Sequence, residues 1–223
     1  MFRLTEEQTL ALHEQGFVGP LTLWDPAETI TIRQLLEGFY LRDPDPSVGQ
    51  NIRFVKHPEI IELCRRPQLT EAMASVMGED LFLWRIGFFN KEPHETTGEI
   101  PWHQDYNYWP LAPPVIISAW LAIDRVTRDN ACRQFIPGSH RKLLPHIKAT
   151  PDMALLEMAD PDQVDTHLAI DIELELEPGQ FVLFNERLLH YSEVNRSNLP
   201  RCGLSIRLIP PIVRVLKYDA QNH

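Results

Sequence analysis

Apolar and polar positions follow two rhythms along the chain, and the change falls near Leu81. Before it, apolar residues recur at helical spacing. Thr5-Glu6-Glu7-Gln8 is a capping-box start for a helix that runs to Gln15 and stops at Gly16. Residues 17–23 form a short strand candidate. Asp25-Pro26 supplies an N-cap and a first-turn proline for a second helix carrying Ile30, Ile32, Leu35, Leu36 and Phe39. Residues 41–50 hold Pro44, Pro46 and Gly49 and read as loop. Two short helices, 58–65 and 68–77, follow and end at Gly78, with apolar residues placed to pack on a sheet.

Beyond Leu81 the period shortens to that of strands. The segments 81–90, 115–124, 133–136, 172–176, 181–184, 188–194 and 202–210 all carry strand patterns. Pro93, Pro101, Pro113-Pro114, Pro137-Gly138 and Pro178-Gly179 punctuate the gaps. Residues 151–158 read as one helix in the insert between strands. Helices first and many short strands afterwards predict an α+β, mainly β fold with a sandwich or barrel core. No repeat or linker divides the chain. It reads as one domain over 1–223, helical in 1–80 and β-structured in 81–218.

Composition narrows the classes. The formal net charge of −10 opposes binding to phosphate backbones, so nucleic acid is excluded as the expected partner. No apolar run reaches the roughly 18–20 residues that span a membrane, so no membrane partner is expected. Charge interrupts the N-terminus at once, unlike a signal peptide. Three widely spaced cysteines do not make a disulfide framework and fit a reducing cytoplasm.

The chemistry concentrates in Trp102-His103-Gln104-Asp105. On a strand, His103 and Asp105 would project to one face with Gln104 pointing away. One imidazole and one carboxylate are two thirds of a 2-His-1-carboxylate site for non-haem iron. Of the nine histidines, His190 alone lies inside an otherwise apolar strand, Leu188-Leu189-His190-Tyr191-Ser192. It is either a third ligand or a core histidine bonded to a neighbour. If the chain turns back about Arg196-Ser197, residue 192 pairs with 201 and Arg201 shares the face of His190, presenting a guanidinium suited to a carboxylate. Arg207 has the same parity and ranks second; an ion pair with Glu186 is its alternative.

The chain resembles the phytanoyl-CoA dioxygenase-like Fe(II)/2-oxoglutarate oxygenases. The resemblance rests on Trp102-His103-Gln104-Asp105, Asp129-Asn130-Ala131-Cys132, Ile136-Pro137-Gly138-Ser139-His140-Arg141, Glu177-Pro178-Gly179-Gln180 and His190-Tyr191-Ser192-Glu193-Val194-Asn195 with Arg201, in that order over residues 81–210. It implies a double-stranded β-helix (jelly-roll, cupin-like) core with the N-terminal helices packed outside. It implies His103, Asp105 and His190 as iron ligands and catalytic residues, and Arg201 as the anchor for the distal carboxylate of 2-oxoglutarate. Ser118 and Trp109 fall where relatives place further cosubstrate or pocket contacts. The cofactors implied are Fe(II), 2-oxoglutarate and O2, and the partner is a small-molecule substrate.

Two positions depart from the family pattern. Ala131 replaces a usual glycine. Arg133 replaces a usual apolar residue, and faces substrate or lies at the surface; Arg85 is a further candidate for a substrate contact. Asp105 is present, whereas related halogenases have glycine or alanine there, so hydroxylation of an amino acid or similar metabolite is the expected outcome. The rival readings are another oxidative tailoring reaction (desaturation, epoxidation or halogenation) and a jelly-roll protein that binds metal or ligand without turnover.

Overall fold

The computed structural model describes residues 2–42, 57–169 and 173–216. Helix α1 (Glu6–Gln15) forms where its capping box predicts. Thr5 accepts from the Gln8 amide, the Gln8 side chain accepts from the Thr5 amide, and Gly16 closes the helix at φ 88°. Strand β1 (Phe17–Thr22), a 3-10 turn at Pro26–Glu28 capped by Asp25, and α2 (Thr29–Arg42) follow. Ile32 and Leu36 are buried, but Ile30 is exposed, contrary to the helical-face reading. Of the expected loop 41–50, residues 41–42 belong to α2 and 43–50 lie outside the described residues. Helices α3 (Pro58–Cys64) and α4 (Pro67–Met77) complete the helical part. Among the described residues, no helix is long and apolar enough to cross a membrane.

Two antiparallel sheets make the core. The larger is ordered β1–β10–β5–β12–β2, where β2 is Phe82–Lys91, β5 Ile117–Ala122, β10 Gln180–Asn185 and β12 Arg201–Ile209. The smaller is ordered β3–β11–β6–β9, where β3 is Ile100–His103, β6 Arg133–Phe135, β9 Glu173–Leu174 and β11 His190–Ser192. The sheets face each other across Phe17, Trp120, Val182 and Phe184 from one side and Phe135 and Leu174 from the other. The opposite face of the larger sheet packs on the helices through Ala119, Leu121, Leu204, Ile206 and Leu208, against Leu12, Ile32, Leu36, Leu63 and Met73. This is the jelly-roll with external helices that the resemblance implies.

Three local readings are corrected. No helix forms over 151–158. The Met153 amide donates to the Thr150 carbonyl in a turn, the Ala154 amide donates to the Glu99 carbonyl and the Gly98 amide to the Asp152 carbonyl in a bridge between the two segments, and β7 (His146–Lys148) pairs with β8 (Glu157–Ala159). Residues 190–192 and 201 do not form a hairpin. Strand β11 pairs with β3 and β6, while β12 pairs with β2 and β5, so the chain crosses from one sheet to the other between them. Two short strands, β4 (Leu111–Ala112) and β13 (Arg214–Val215), pair with each other, which no sequence pattern announced.

Candidate active site

Strand β3 ends at His103, and the chain then tightens into a 3-10 turn, Asp105–Tyr108. His103 and Asp105 therefore do not share a strand face, as strand periodicity suggested. The turn swings the Asp105 carboxylate back beside the imidazole, and the Tyr106 amide, bonded to the Glu186 carbonyl at 2.9 Å, holds it there. Gln104 does point away. Its buried amide donates to the carbonyls of Lys142 and Arg187 and accepts from the Leu144 amide. Three long-range bonds from one side chain thus fix the residue between the two.

His190 stands directly opposite His103 in the β3–β11 register. The two rings lie 4.0 Å apart, centre to centre. Each Nδ1 meets a backbone carbonyl: Pro101 at 2.7 Å for His103 and Leu188 at 2.8 Å for His190. A carbonyl only accepts, so each Nδ1 carries a hydrogen, and in the neutral ring Nε2 is the nitrogen left free to bind a metal. Both Nε2 atoms turn toward Asp105 Oδ1, at 3.5 and 3.9 Å. Ligand-capable atoms of the three buried side chains all lie within 4.8 Å of one another. This donor set, with imidazoles held in the metal-binding tautomer by second partners, fits a divalent metal of the 2-His-1-carboxylate type.

The electrostatics agree with that fit. Burial disfavours charge on Asp105, but Arg207, with Nη2 3.5 Å from Oδ2, and the two histidines outweigh it and hold the carboxyl well below its usual range. Burial, then the neighbouring His103, drives His190 well below the ordinary imidazole value, keeping the ring neutral. Arg207 also lies 4.9 Å over the Trp109 ring. It pairs across the sheet with Arg85 and Ser118, and its ion pair is with Asp105, not Glu186, whose own partner is Arg187 at 3.5 Å. Glu186 is pushed up to about 7, chiefly by burial.

Arg201 is buried between the sheets on β12, with Nε and Nη2 lacking hydrogen-bond partners among the described residues. It lies 5.3 Å over the Trp120 ring. It faces the interior because the two sheets oppose each other, not because it pairs beside Ser192. A cavity of about 290 Å³ opens against it, lined in part by Phe89, Lys91, Ile100 and Leu155. An orphaned guanidinium at a cavity is the fit expected for a carboxylate occupant. Ser118 is fully buried, its Oγ without a hydrogen-bond partner among the described residues, and Trp109 packs edge-on to Trp84. Arg133 is buried too, so the surface alternative for it fails.

Sequence reasoning missed Gly203. A Cβ there would fall 2.1 Å from Trp120 Cζ2, so only glycine leaves room for the indole between the sheets. A glycine inside a strand pattern was the available signal. Of the aromatics near these residues, Trp120 and Trp109 stand by the arginines, Tyr108 is edge-on to His103, and Trp102 stacks on Tyr191.

The profile of the family described as Phytanoyl-CoA dioxygenase (PhyH) matches residues 12–203. A probable phytanoyl-CoA dioxygenase of Caenorhabditis elegans is 29% identical over 171 residues, covering 74% of this chain and 55% of that protein. The L-proline trans-4-hydroxylase of Streptomyces griseoviridis is 27% identical over 215 residues, covering 84% of this chain and 79% of that protein. The chain spans about half the length of the curated phytanoyl-CoA dioxygenases it matches. Among solved structures, the non-heme monooxygenase ThoJ in its apo form superimposes with a TM-score of 0.79 at 23% identity, covering 93% of this chain and 79% of that one.

Proposed function

The chain belongs to the phytanoyl-CoA dioxygenase family, and from that premise we propose that it is an Fe(II)/2-oxoglutarate-dependent oxygenase that hydroxylates a small polar metabolite. The observation that carries this reading is the convergence of two imidazole Nε2 atoms on one carboxylate, all buried. His103, Asp105 and His190 would hold the metal. Arg201 would receive the distal carboxylate of 2-oxoglutarate. When bound, iron(II), 2-oxoglutarate and O2 together supply an oxidant able to remove hydrogen from an unactivated carbon.

The protein contributes position, charge and dryness. The carbonyls of Pro101 and Leu188 orient the imidazoles, and Arg207 keeps Asp105 ionised and aimed. Phe184 and Phe135 pack edge-on against His190 and exclude water from its side of the site. Trp109 and Ser118 border the same interior and would line the substrate or cosubstrate space. Because Asp105 fills a protein ligand position, hydroxylation is favoured over halide transfer, in which a vacant position must accept chloride. A free amino acid or similar metabolite is supported by the L-proline hydroxylase relative, which matches over most of its own length.

Anaerobic addition of Fe(II) and 2-oxoglutarate should give the weak visible band of the chelate. His190→Ala should weaken metal binding on the order of 100-fold or more, and His140→Ala, whose Nε2 lies 3.1 Å from the His13 carbonyl, should not. Equal loss in both variants would sink the ligand assignment. A substrate panel scored by succinate release, with product mass read in high chloride, then tests the reaction; a chlorinated product from the unmutated protein would overturn hydroxylation.

A further inference from the structure

Arg133 has no role in the site as described so far, and its surroundings do not explain it. It stands on β6 with its side chain between the sheets, 4% exposed. Its guanidinium lies 5.2 Å from the Trp120 ring, 5.4 Å from Phe89 and 5.6 Å from Phe184. Stacking on rings satisfies the faces of a guanidinium but not its edge, where the hydrogens point. Among the described residues, Nε and Nη1 have no hydrogen-bond partner and no carboxylate stands at ion-pair distance. Burial pushes this guanidinium down to about 9; the Asp105 carboxylate favours its charge from a distance, while the nearby Arg201 and Arg207 disfavour it. A buried cation in this state is costly unless an anion completes it.

Arg201 shares the same indole, 5.3 Å from the Trp120 ring, and is equally orphaned along its edge. One ring therefore carries two buried guanidiniums from opposing sheets. Lys91, paired with Arg201 on the neighbouring strand β2, adds a third cation, although its amine donates to the Gly98 carbonyl at 2.9 Å. Two buried guanidinium edges facing one interior space call for an anionic occupant there. A carboxylate offers about four acceptor sites, enough for two guanidinium edges at once.

We propose that Arg133 is a second anchor for the distal carboxylate of the cosubstrate, which Arg133 and Arg201 grip between the two sheets. The inference rests on the reading of the site as a 2-oxoglutarate site. It assigns the extra buried charge to cosubstrate retention, leaving Arg207 and Arg85 on the metal side.

The test uses the full-length protein loaded anaerobically with Fe(II), titrated with 2-oxoglutarate and, separately, with 2-oxopentanoate, a 2-oxo acid that lacks the distal carboxylate. Both are followed by calorimetry and the visible chelate band. Arg133→Leu should weaken 2-oxoglutarate about 10-fold or more, the loss of one charge-assisted pair, while 2-oxopentanoate stays within about twofold. The Tm of metal-free Arg133→Leu should equal or exceed that of the parent, because leucine suits the three rings better than an unpaired cation. Arg133→Lys should recover part of the lost affinity. Unchanged 2-oxoglutarate affinity in Arg133→Leu overturns the proposal and reassigns the free edge to a substrate anion. Equal loss of both ligands, or a lower Tm or failure to fold, overturns it in favour of a structural role. If the parent protein binds Fe(II) but neither 2-oxo acid, the site reading itself has failed, whatever the variant does.

Discussion

The two faces of the five-stranded sheet follow opposite rules, and strand β12 shows both. Its even-numbered residues Leu204, Ile206 and Leu208 enter the apolar cluster beneath the helices. Its odd-numbered residues Arg201, Gly203, Ser205 and Arg207 face the smaller sheet, and three of these four carry buried polar atoms without hydrogen-bond partners among the described residues. On β5 the same division sets Ala119 and Leu121 against Ser118 and Trp120. The outer face is complete in the protein alone. The inner face carries polar groups whose partners the described residues do not provide, which is the mark of a surface shaped for an occupant. Stability and function are thus stored on opposite sides of the same strands.

The division predicts that outer-face substitutions cost stability and inner-face ones cost binding. The largest effect belongs to Ile206→Ala, at a fully buried outer position. It should lower unfolding free energy by about 2–5 kcal/mol in chemical denaturation. The folded fraction should bind Fe(II) and 2-oxoglutarate with unchanged affinity. A matching loss of affinity would show that the two faces are coupled through the strand.

Next in size is Arg201→Ala, on the inner face of the same strand. Removing one buried charge-assisted pair should cost about 2–4 kcal/mol of 2-oxoglutarate binding, a fall of roughly 30-fold or more. The ligand-free protein should lose little stability, because the guanidinium is unpaired there. Arg207→Ala should affect 2-oxoglutarate less, since its nearest charge is Asp105. The reverse ranking would place the cosubstrate at the other end of β12.

Much of this architecture is legible in the sequence where its cause is local. The capping box at Thr5, the left-handed stop at Gly16 and the short strands after Leu81 all follow from neighbours in the chain. His190 is legible as the polar ring in an otherwise apolar strand, and His103 with Asp105 as a pair, although the 3-10 turn at Asp105 replaces the strand-face argument for that pair. Arg201 was chosen through a hairpin that does not exist; parity gave the correct side because opposed sheets turn their alternate residues toward each other. What the local pattern does not encode is which strands meet. The pairing of His190 with His103 and Phe135 joins segments separated by more than fifty residues. The burial of Arg133 depends on the same long-range packing. A charged residue in a short strand reads as surface until the rings of three other strands are known to surround it.

Glu186, near the metal-side end of the inner face, gives a smaller and pH-dependent effect. Its folded value near 7 lies above the ordinary 4.5 because burial penalises the charge. Between these two pH values the folded protein holds a proton that the unfolded chain has released. Stability should therefore fall as pH rises through this window and level off above it. Glu186→Gln removes that slope. It should raise unfolding free energy by about 2–3 kcal/mol at pH 8, offset in part by the lost Arg187 contact, and change little at pH 4. Paired denaturation curves at the two pH values decide it. An equal effect at both would trace the change to packing and leave the titration unsupported.

The smallest expected effect lies between the sheets' rules, at Ala131. Its backbone is left-handed, φ 71°, where a Cβ costs about 1–2 kcal/mol. Ala131→Gly relieves that strain, but it also removes a buried methyl, about 0.8 kcal/mol, and gives the unfolded chain more freedom, roughly another 0.4–1 kcal/mol. These terms nearly cancel, so Tm should move by no more than about 3 °C. The informative measurement is binding. The Ala131 carbonyl accepts a 2.9 Å hydrogen bond from Ser192 Oγ, two residues beyond His190 on the same strand. A glycine keeps that carbonyl, so 2-oxoglutarate and Fe(II) affinities should stay within about twofold of the parent, far below the roughly 10-fold that a lost charged pair produces. A 10-fold loss would mean that the left-handed turn itself holds β11, and with it the His190 ring, in place; the strain at Ala131 would then belong to the inner face and not to the loop alone.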